Sequence, residues 1–264
     1  MSNILSVALQ SMHQDSVRLE KVGTNLANAL TMGYKREVVS VRPTPYSQLG
    51  ASFTAQFDAL SASADVTGGT LRTQTDSRPG TLKSTNQSLD LALDGDGFFE
   101  VATASGPAYT RQGSFHLDGQ GRLVNAQGYP VMGKGGAIFL TTPNPSIDSR
   151  GFVFEGPKSG AGGFAANRSA AQEPVGQLKV MHFETPQAMQ HLGEGLLASE
   201  GPAAMMNDVD IQVRQGFLEN SNVSSMQEMV QLMQTMRHFE SMQKVATGYD
   251  EMMGTAIRKL GDLA

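Results

Sequence analysis

The acidic pair Asp94 and Asp96 is the first place in this sequence where residue types and spacing could bind a metal ion. Carboxylates at alternate positions occur in calcium loops, but such a loop needs an oxygen ligand two residues further on, and Phe98 has none. A glycine follows each aspartate, which suits a tight turn between two strands. We therefore predict a turn here and no metal site.

The other polar motifs also lack the context that chemistry requires. The run from Gly160 to Ala165 imitates a dinucleotide-binding fingerprint, but no clear strand precedes it and no helix follows it. No P-loop, nucleophile elbow or cysteine nucleophile occurs. The five histidines have neither metal-ligand spacing nor a close carboxylate: His13, His116, His182, His191 and His238. We predict no catalytic residue, metal, cofactor or small-molecule substrate, and so no enzyme.

Composition excludes further classes. The chain has 264 residues, a formal net charge of -5 and no basic run, which argues against nucleic acid as a partner. It has no apolar run long enough to span a membrane. We also see no cleaved secretory signal, so a protein of this kind that leaves the cytoplasm needs another route. The absence of cysteine suits an oxidising compartment in which no disulfide is required.

Heptad patterns at both ends of the chain predict two terminal helices. One row near the N-terminus consists of Leu5, Met12, Leu19 and Leu26, with Ala8, Val22 and Ala29 three residues on. A row near the C-terminus consists of Leu232, Phe239, Ala246, Met253 and Leu260, with Met229, Met236 and Ile257 three residues earlier. Such spacing indicates a coiled coil that joins the two ends. Polar residues interrupt the secondary rows, which favours a multi-helix assembly, although each row could also pack on the chain's own core.

The segments between and around these rows predict an α+β fold in four parts. Residues 1–42 form the N-terminal helix and an extended arm. Residues 43–80, rich in Ser, Thr, Ala, Gly and Pro, form a connector or loose β structure. Residues 81–212 alternate short apolar runs with glycine turns, which predicts a β-rich middle domain. Residues 213–264 form the C-terminal helix, with Asn222 or Ser221 as its N-cap. Gly33 is expected to end the first helix in the left-handed conformation.

Three stretches together resemble the bacterial flagellar hook-basal-body family, and within it the basal-body rod proteins. They are Asn25 to Arg36 (NLANALTMGYKR), Leu89 to Val131 (which contains LDLALDGDGFF and YTRQGSF) and Gly216 to Phe239 (which contains LENSNV and EMV). The motifs occur in the order typical of the family. This chain departs from the usual pattern at Thr24, where an asparagine is common, and at Ala29-Leu30, where a more polar pair is common.

The resemblance implies a structural subunit of the rod, which crosses the periplasm. Terminal helices would form an inner coiled-coil layer through which the subunit polymerises and transmits torque from motor to hook, and the β-rich domain would form an outer layer. The implied partners are other copies of the chain, neighbouring rod proteins and the flagellar type III export apparatus. The compact 43–80 connector favours the proximal over the distal rod. Expected packing residues are Leu5, Met12, Leu19, Leu26, Leu232, Phe239, Met253 and Leu260, with Asn25, Asn28 and Asn222 capping helices or bridging subunits.

Two other classes remain open at this point. The first is a secreted β-domain binding module that a coiled coil dimerises and that recognises cell-wall glycan or another protein. The second is a peptidoglycan-degrading enzyme, which would need a catalytic carboxylate pair or a metal site.

Overall fold

The chain folds into two units of different construction. The structure, a computed structural model, describes residues 3–42, 70–155, 173–199 and 201–261. The helical unit comprises the described parts of Met1–Ala27, Glu37–Gln74 and Ser224–Ala264. The strand unit comprises Asn28–Arg36 and the described parts of Thr75–Val223. Helices at both ends and strands in the middle confirm the predicted α+β class.

Two helices dominate the helical unit and pack on each other. Helix α1 is Asn3–Ala27 and helix α2 is Ser225–Gly261. Neither contains proline, so their backbone hydrogen bonding is uninterrupted. Glu228 in the first turn of α2, and Arg258 and Lys259 in its last turn, complement the helix dipole.

The segment assigned to the C-terminal helix, residues 213–264, begins with strands rather than with helix. Residues Val213–Gln215 and Phe217–Glu219 are strands, because their backbone groups pair with two strands from much earlier in the chain. Helix α2 begins only at Ser225, and the backbone N–H of Glu228 donates to the carbonyl of Ser224. Asn222 and Ser221 are therefore too early in the sequence to be the N-cap.

A two-stranded sheet belongs largely to the helical unit. Its strands are β1, Glu37–Arg42, and β2, Thr70–Thr75. Strand β1 confirms the arm predicted after the first helix. The stretch predicted over 43–80 as a connector or loose β structure contains β2 near its C-terminal end, where that strand pairs with β1; residues 43–69 of that prediction lie outside the described residues. So does the glycine run from Gly160 to Ala165.

Short strands build the strand unit. They are β3 Leu82–Ser84, β4 Leu91–Leu93, β5 Phe98–Thr103, β6 Gly106–Thr110, β7 His116–Leu117, β8 Leu123–Val124, β9 Met132–Gly133, β10 Gly136–Ala137, β11 Ser146–Ile147, β12 Phe152–Phe154, β13 Gly176–Gln177, β14 Val180–Phe183, β15 Gln190–Gly193, β16 Leu196–Ala198, β17 Ala203–Met205, β18 Val213–Gln215 and β19 Phe217–Glu219. The largest sheet has six strands in the order β15-β16-β6-β5-β14-β17. Strand β18 pairs with β4, and β19 pairs with β3, both antiparallel.

The predicted Asp-Gly turn lies between β4 and β5. Gly95 and Gly97 both have positive φ values, 109° and 119°, as such a turn requires. The two strands do not pair with each other, however, because β4 pairs with β18 and β5 pairs with β6 and β14. The turn thus passes the chain from one sheet to another above a shared apolar core, which includes Leu91, Phe99 and Val180.

Candidate assembly site

The contacts of two buried polar residues set the direction and register of the helix pair. Asp15 Oδ2 lies against Nδ1 of His238, and Asn25 Nδ2 donates to Glu228 Oε2 over 3.3 Å. Asn25 follows Asp15 by ten residues in α1, whereas its partner Glu228 precedes His238 by ten residues in α2. The helices run antiparallel, and at this register Asn3 lies opposite residue 250. The last turns of α2, residues 251–261, extend beyond the first described residue of α1.

Polar residues occupy much of the interface between the helices. On α1 the buried row is Ala8, Asp15 and Val22, at heptad spacing, and Asn25 is buried beside it. On α2 the buried positions are Glu228 and Thr235, seven residues apart. We call Asp15, Asn25, Glu228 and Thr235 the polar row. Polar groups at such positions weaken a helix pair but fix its register.

Asn25 connects three segments of the helical unit. Its side-chain amide donates to the carbonyl of Glu37 over 2.8 Å and to Glu228, and its carbonyl oxygen accepts the Glu37 backbone N–H over 2.9 Å. Lys21 forms an ion pair with the Glu37 carboxylate at 3.2 Å. The first residue of the NLAN motif thereby fixes the start of β1 against both helices.

An apolar face of α2 remains uncovered by α1. Its members are large apolar side chains spaced three or four residues apart, each between 44% and 78% exposed: Met226, Met229, Val230, Met233 and Met236. We call this set the apolar stripe. Further along α2, Met252, Met253 and Ile257 are also exposed, in the part of the helix that extends past α1. Contiguous apolar patches on a protein surface are typical of sites that bind another molecule.

A buried charge cluster lies within the strand unit. Glu219 Oε1 accepts from Lys35 Nζ at 2.7 Å, and Glu219 Oε2 accepts from the Arg111 guanidinium at 3.1 Å. All three side chains are at most 2% exposed. The Glu219 carboxylate also accepts the Gly80 backbone N–H. The charge cluster, Lys35, Arg111 and Glu219, unites the GYKR, TRQG and LEN motifs, which are far apart in sequence.

Burial governs protonation in this cluster. It lowers the pKa of Lys35 below its ordinary value, and the neighbouring Glu219 carboxylate acts in the opposite direction. Burial likewise lowers the pKa of the Arg111 guanidinium, again opposed by Glu219. The single carboxylate thus compensates two buried cations.

Gly33 has no space for a side chain. Its φ is +69°, the left-handed conformation predicted for it, although α1 already ends at Ala27 and Gly33 does not cap it. A Cβ there would lie 2.4 Å from the Gln112 backbone nitrogen. The Gly33 N–H donates to the carbonyl of Glu219 over 2.7 Å. A glycine at this position lets the GYKR segment pass directly over the TRQG segment.

The structure places the predicted packing residues on α1 and α2, but not all of them are covered. Leu5, Met12, Leu19, Leu26, Leu232 and Phe239 are half-buried. Met253 is exposed, and the side chain of Leu260 lies outside the described part of the chain. The secondary row of Met229, Met236 and Ile257 is exposed, because Glu228 and Thr235 take the buried positions on α2 instead.

The three predicted asparagines all have partners within the chain. Asn28 accepts a hydrogen bond from the Thr31 hydroxyl. Asn222 accepts the Arg36 backbone N–H over 2.8 Å and donates to the carbonyls of Asp76 and Arg78. Lys35, Arg111 and Glu219 were not predicted as site residues, although each lies in a motif that carried the resemblance.

The described residues show neither a metal-binding cluster nor a membrane-spanning helix. Asp94 forms an ion pair with Arg214 at 2.5 Å. Within the described ranges, no group of three or more His, Cys, Asp or Glu side chains could hold a metal ion. No helix in that part of the chain combines the length and the apolar character needed to cross a membrane.

Two known sequence families match the chain and define its class. Residues 214–259 match "Flagellar basal body rod FlgEFG protein C-terminal", and residues 92–154 match "Flagellar hook protein FlgE/F/G D1 domain". The first match includes β18, β19 and nearly all of α2, and the second runs from β4 to β12. The chain is thus of the flagellar hook and rod class.

Relatives that match nearly the whole chain identify the family within this class. The flagellar basal-body rod protein FlgF of Salmonella typhimurium is 31% identical over 96% of this chain and 94% of its own length. FlgF of Escherichia coli is likewise 31% identical over 96% and 94%. The rod protein FlgG of Bacillus subtilis is 29% identical over 93% and 94%. The chain belongs to the flagellar basal-body rod protein family, whose members are structural components of the rod.

Proposed function

We propose that this chain polymerises through its terminal helices within the flagellar rod and transmits torque from motor to hook. The observation that carries the proposal is the apolar stripe, which α1 leaves uncovered along the N-terminal half of α2. Burying a large apolar side chain contributes roughly 1.5–3 kcal/mol. Five such residues, each already partly covered, therefore supply several kcal/mol to a contact with a neighbouring subunit.

The extension of α2 past α1 supports contacts with more than one neighbour. Residues 251–261 have no opposing residue in the described part of α1 at the observed register, yet Met252, Met253 and Ile257 are apolar and exposed. A neighbouring helix that covers this end would be displaced along the axis relative to one that covers the stripe. Contacts staggered in this way do not close into a ring, and they generate a helical tube.

The polar row suits a subunit that carries torque. A helix pair held only by apolar contacts can slide by one turn, whereas a misplaced Asp15 or Glu228 would lose its partner and remain buried. We infer that the row keeps the register of α1 and α2 fixed under load. The half-buried packing residues Leu5, Met12, Leu19, Leu26, Leu232 and Phe239, with Met253 and Leu260, would complete the inner layer.

The same proposal implies which proteins the chain contacts and how it is exported. Neighbours would be other copies and other rod proteins, and export would use the flagellar type III apparatus. The relatives carry both the FlgF and the FlgG name, and most of the connector that favours the proximal rod lies outside the described residues. That preference therefore stays a prediction.

A charge placed in the apolar stripe tests the proposal. Met233→Asp should leave the isolated chain folded, since Met233 is exposed, but should remove the protein from isolated basal bodies and abolish swimming. Gln234→Asp, at the adjacent exposed position, is the matched control and should assemble normally. Normal swimming of the Met233→Asp strain would count against the proposal.

Sedimentation of the purified chain distinguishes a rod subunit from the alternative, a secreted binding module. A rod subunit should be monomeric at low concentration and associate as concentration rises. A discrete dimer that persists on dilution, unaffected by Met233→Asp, would favour the secreted binding module.

A further inference from the structure

Sulfur is unevenly distributed over the chain and is concentrated in α2. The chain has 15 methionines and no cysteine, so every sulfur atom in it is a thioether. Helix α2 provides only 37 of the 264 residues, yet it holds seven of these methionines: Met226, Met229, Met233, Met236, Met242, Met252 and Met253. The first four belong to the apolar stripe, and we call them the stripe methionines. Their spacing of three or four residues places all four on one face of the helix.

The stripe methionines are open to solvent, unlike the methionines of the strand unit's core. Each stripe methionine is between 49% and 78% exposed, whereas Met181 and Met189 are at most 6% exposed. A dissolved oxidant reaches an exposed thioether directly, but it reaches a buried one only when the structure opens locally. Because the chain has no thiol to react first, an oxidant that meets the unassembled chain acts on the stripe before it acts on the core.

We propose that the apolar stripe is a site of methionine oxidation by hydrogen peroxide, and that the oxidised stripe no longer binds a neighbouring subunit. The second part rests on the proposed function. In each event the thioether sulfur loses two electrons to the O–O bond of the peroxide and takes one of its oxygen atoms, which gives a sulfoxide. The other peroxide oxygen leaves as water with both hydrogens.

Oxidation makes the stripe polar without disturbing the contact between α1 and α2. A sulfoxide oxygen accepts hydrogen bonds from water in the free chain, and it would lose them against the apolar surface of a neighbour. The positions of α2 that are buried in the helix pair are Glu228 and Thr235, and neither contains sulfur. The oxidised chain should therefore stay folded but fail to assemble.

Limited oxidation of the full-length chain with hydrogen peroxide tests the site. Peptide mass spectrometry then gives the rate of conversion at each methionine. The stripe methionines should be converted at least about ten-fold faster than Met181 and Met189, because the two core residues need a local opening. Equal rates at stripe and core would overturn the proposal.

Sedimentation before and after this treatment tests the consequence for assembly. The concentration at which the chain associates should rise at least about ten-fold on oxidation, while helical circular dichroism stays unchanged. Unchanged association of the oxidised chain would refute this inference and leave the proposed function standing. An unmodified chain that associates at no concentration would refute both.

Leucine variants identify which sulfur atoms are responsible. The variant with Met226→Leu, Met229→Leu, Met233→Leu and Met236→Leu keeps the apolar surface and the helix propensity, so it should associate normally and resist peroxide. Met205→Leu is the matched control, because it removes a thioether of the strand unit that is 49% exposed, as Met236 is. Association of this control should remain sensitive to peroxide. A stripe variant as sensitive as the unmodified chain would rule out the stripe as the site.

Discussion

Both units of the chain bury ionisable side chains, but they surround them differently. In the strand unit, the charge cluster accompanies a continuous apolar core that includes Phe99, Leu123 and Leu178. In the helical unit, the described buried apolar residues are Ala8 and Val22, while five buried residues are polar: Asp15, Asn25, Glu37, Glu228 and Thr235. The strand unit therefore has its own core, whereas the helical unit exposes apolar surface that a neighbour can cover.

Buried charge therefore has two structural roles in this chain. In the strand unit, the buried charges of the cluster join segments that are distant in sequence, and the stability of the unit comes from apolar burial. In the helical unit, buried charge specifies which residues of α1 meet which residues of α2, at a cost in pair stability. Four substitutions, at Glu219, Phe239, Asp15 and Asp76, test this contrast.

The largest effect should come from Glu219→Gln. Lys35 and Arg111 would then be two buried cations without a carboxylate, and the free energy of unfolding of the strand unit should fall by about 3–5 kcal/mol. Chemical denaturation followed by near-UV signals measures it. Lys35→Met should cost much less, because Glu219 keeps Arg111. Equal losses for both would show that the two cations are not compensated by Glu219.

Phe239→Asp should affect the helical unit next most strongly. The half-buried ring would be replaced by a charge, and we expect a loss of about 2 kcal/mol or more in the stability of the helix pair. Helical circular dichroism should show this loss, while the strand unit unfolds at its unaltered midpoint. Gln234→Asp, at an exposed neutral position of the same helix, adds the same charge and is the control. If the strand unit melted with the helices, the two units would not be independent in stability.

Asp15→Asn should change the helix pair only modestly. The amide retains a hydrogen bond to His238, so we expect a loss of about 1 kcal/mol, far below that of Glu219→Gln. The thermal midpoint of α-helical circular dichroism reports it. A loss as large as that of Glu219→Gln would contradict the view that Asp15 sets register rather than stability.

The smallest effect should be that of Asp76→Asn, and it depends on pH. The hydrogen bond from Arg78 lowers the pKa of Asp76 below its ordinary value of 3.8, so the folded chain binds the proton less readily than the unfolded chain does. The stabilisation is therefore present above pH 3.8 and is lost as the pH falls through the folded-state pKa. Denaturation midpoints of the variant and the unmodified chain should differ slightly at pH 7 and converge in acid. A constant difference at all pH values would exclude the carboxylate as its cause.

The elements that could be predicted from the sequence are those with long local patterns. Heptad spacing located both helices, and the Asp-Gly pairs located the turn at Gly95 and Gly97, because each signal lies within a few residues of the chain. The start of α2 was misplaced because three-residue strands such as β18 and β19 are too short to show a period distinct from that of a helix. Only their pairing with β4 and β3 makes them strands.

The candidate site was harder to predict because its contacts are distant in sequence. Lys35, Arg111 and Glu219 lie in three separate motifs, and no local pattern indicates that one carboxylate serves two cations. The polar row was visible only as interruptions of the heptads at positions such as Asp15. Its meaning depends on the antiparallel register, which brings His238 to Asp15, and a heptad pattern does not specify helix direction.

The position of Glu219 also governs when the strand unit can fold. Lys35 and Glu219 are separated by 184 residues, and Arg111 and Glu219 by 108. Until the chain has emerged as far as Glu219, Lys35 and Arg111 lack their common carboxylate. Strands β3 and β4 likewise lack their partners, β19 and β18. Contacts of such long range make folding slow. A chain that emerges from its N-terminus can therefore complete the charge cluster and pair β3 and β4 only after the segment up to Glu219 has arrived.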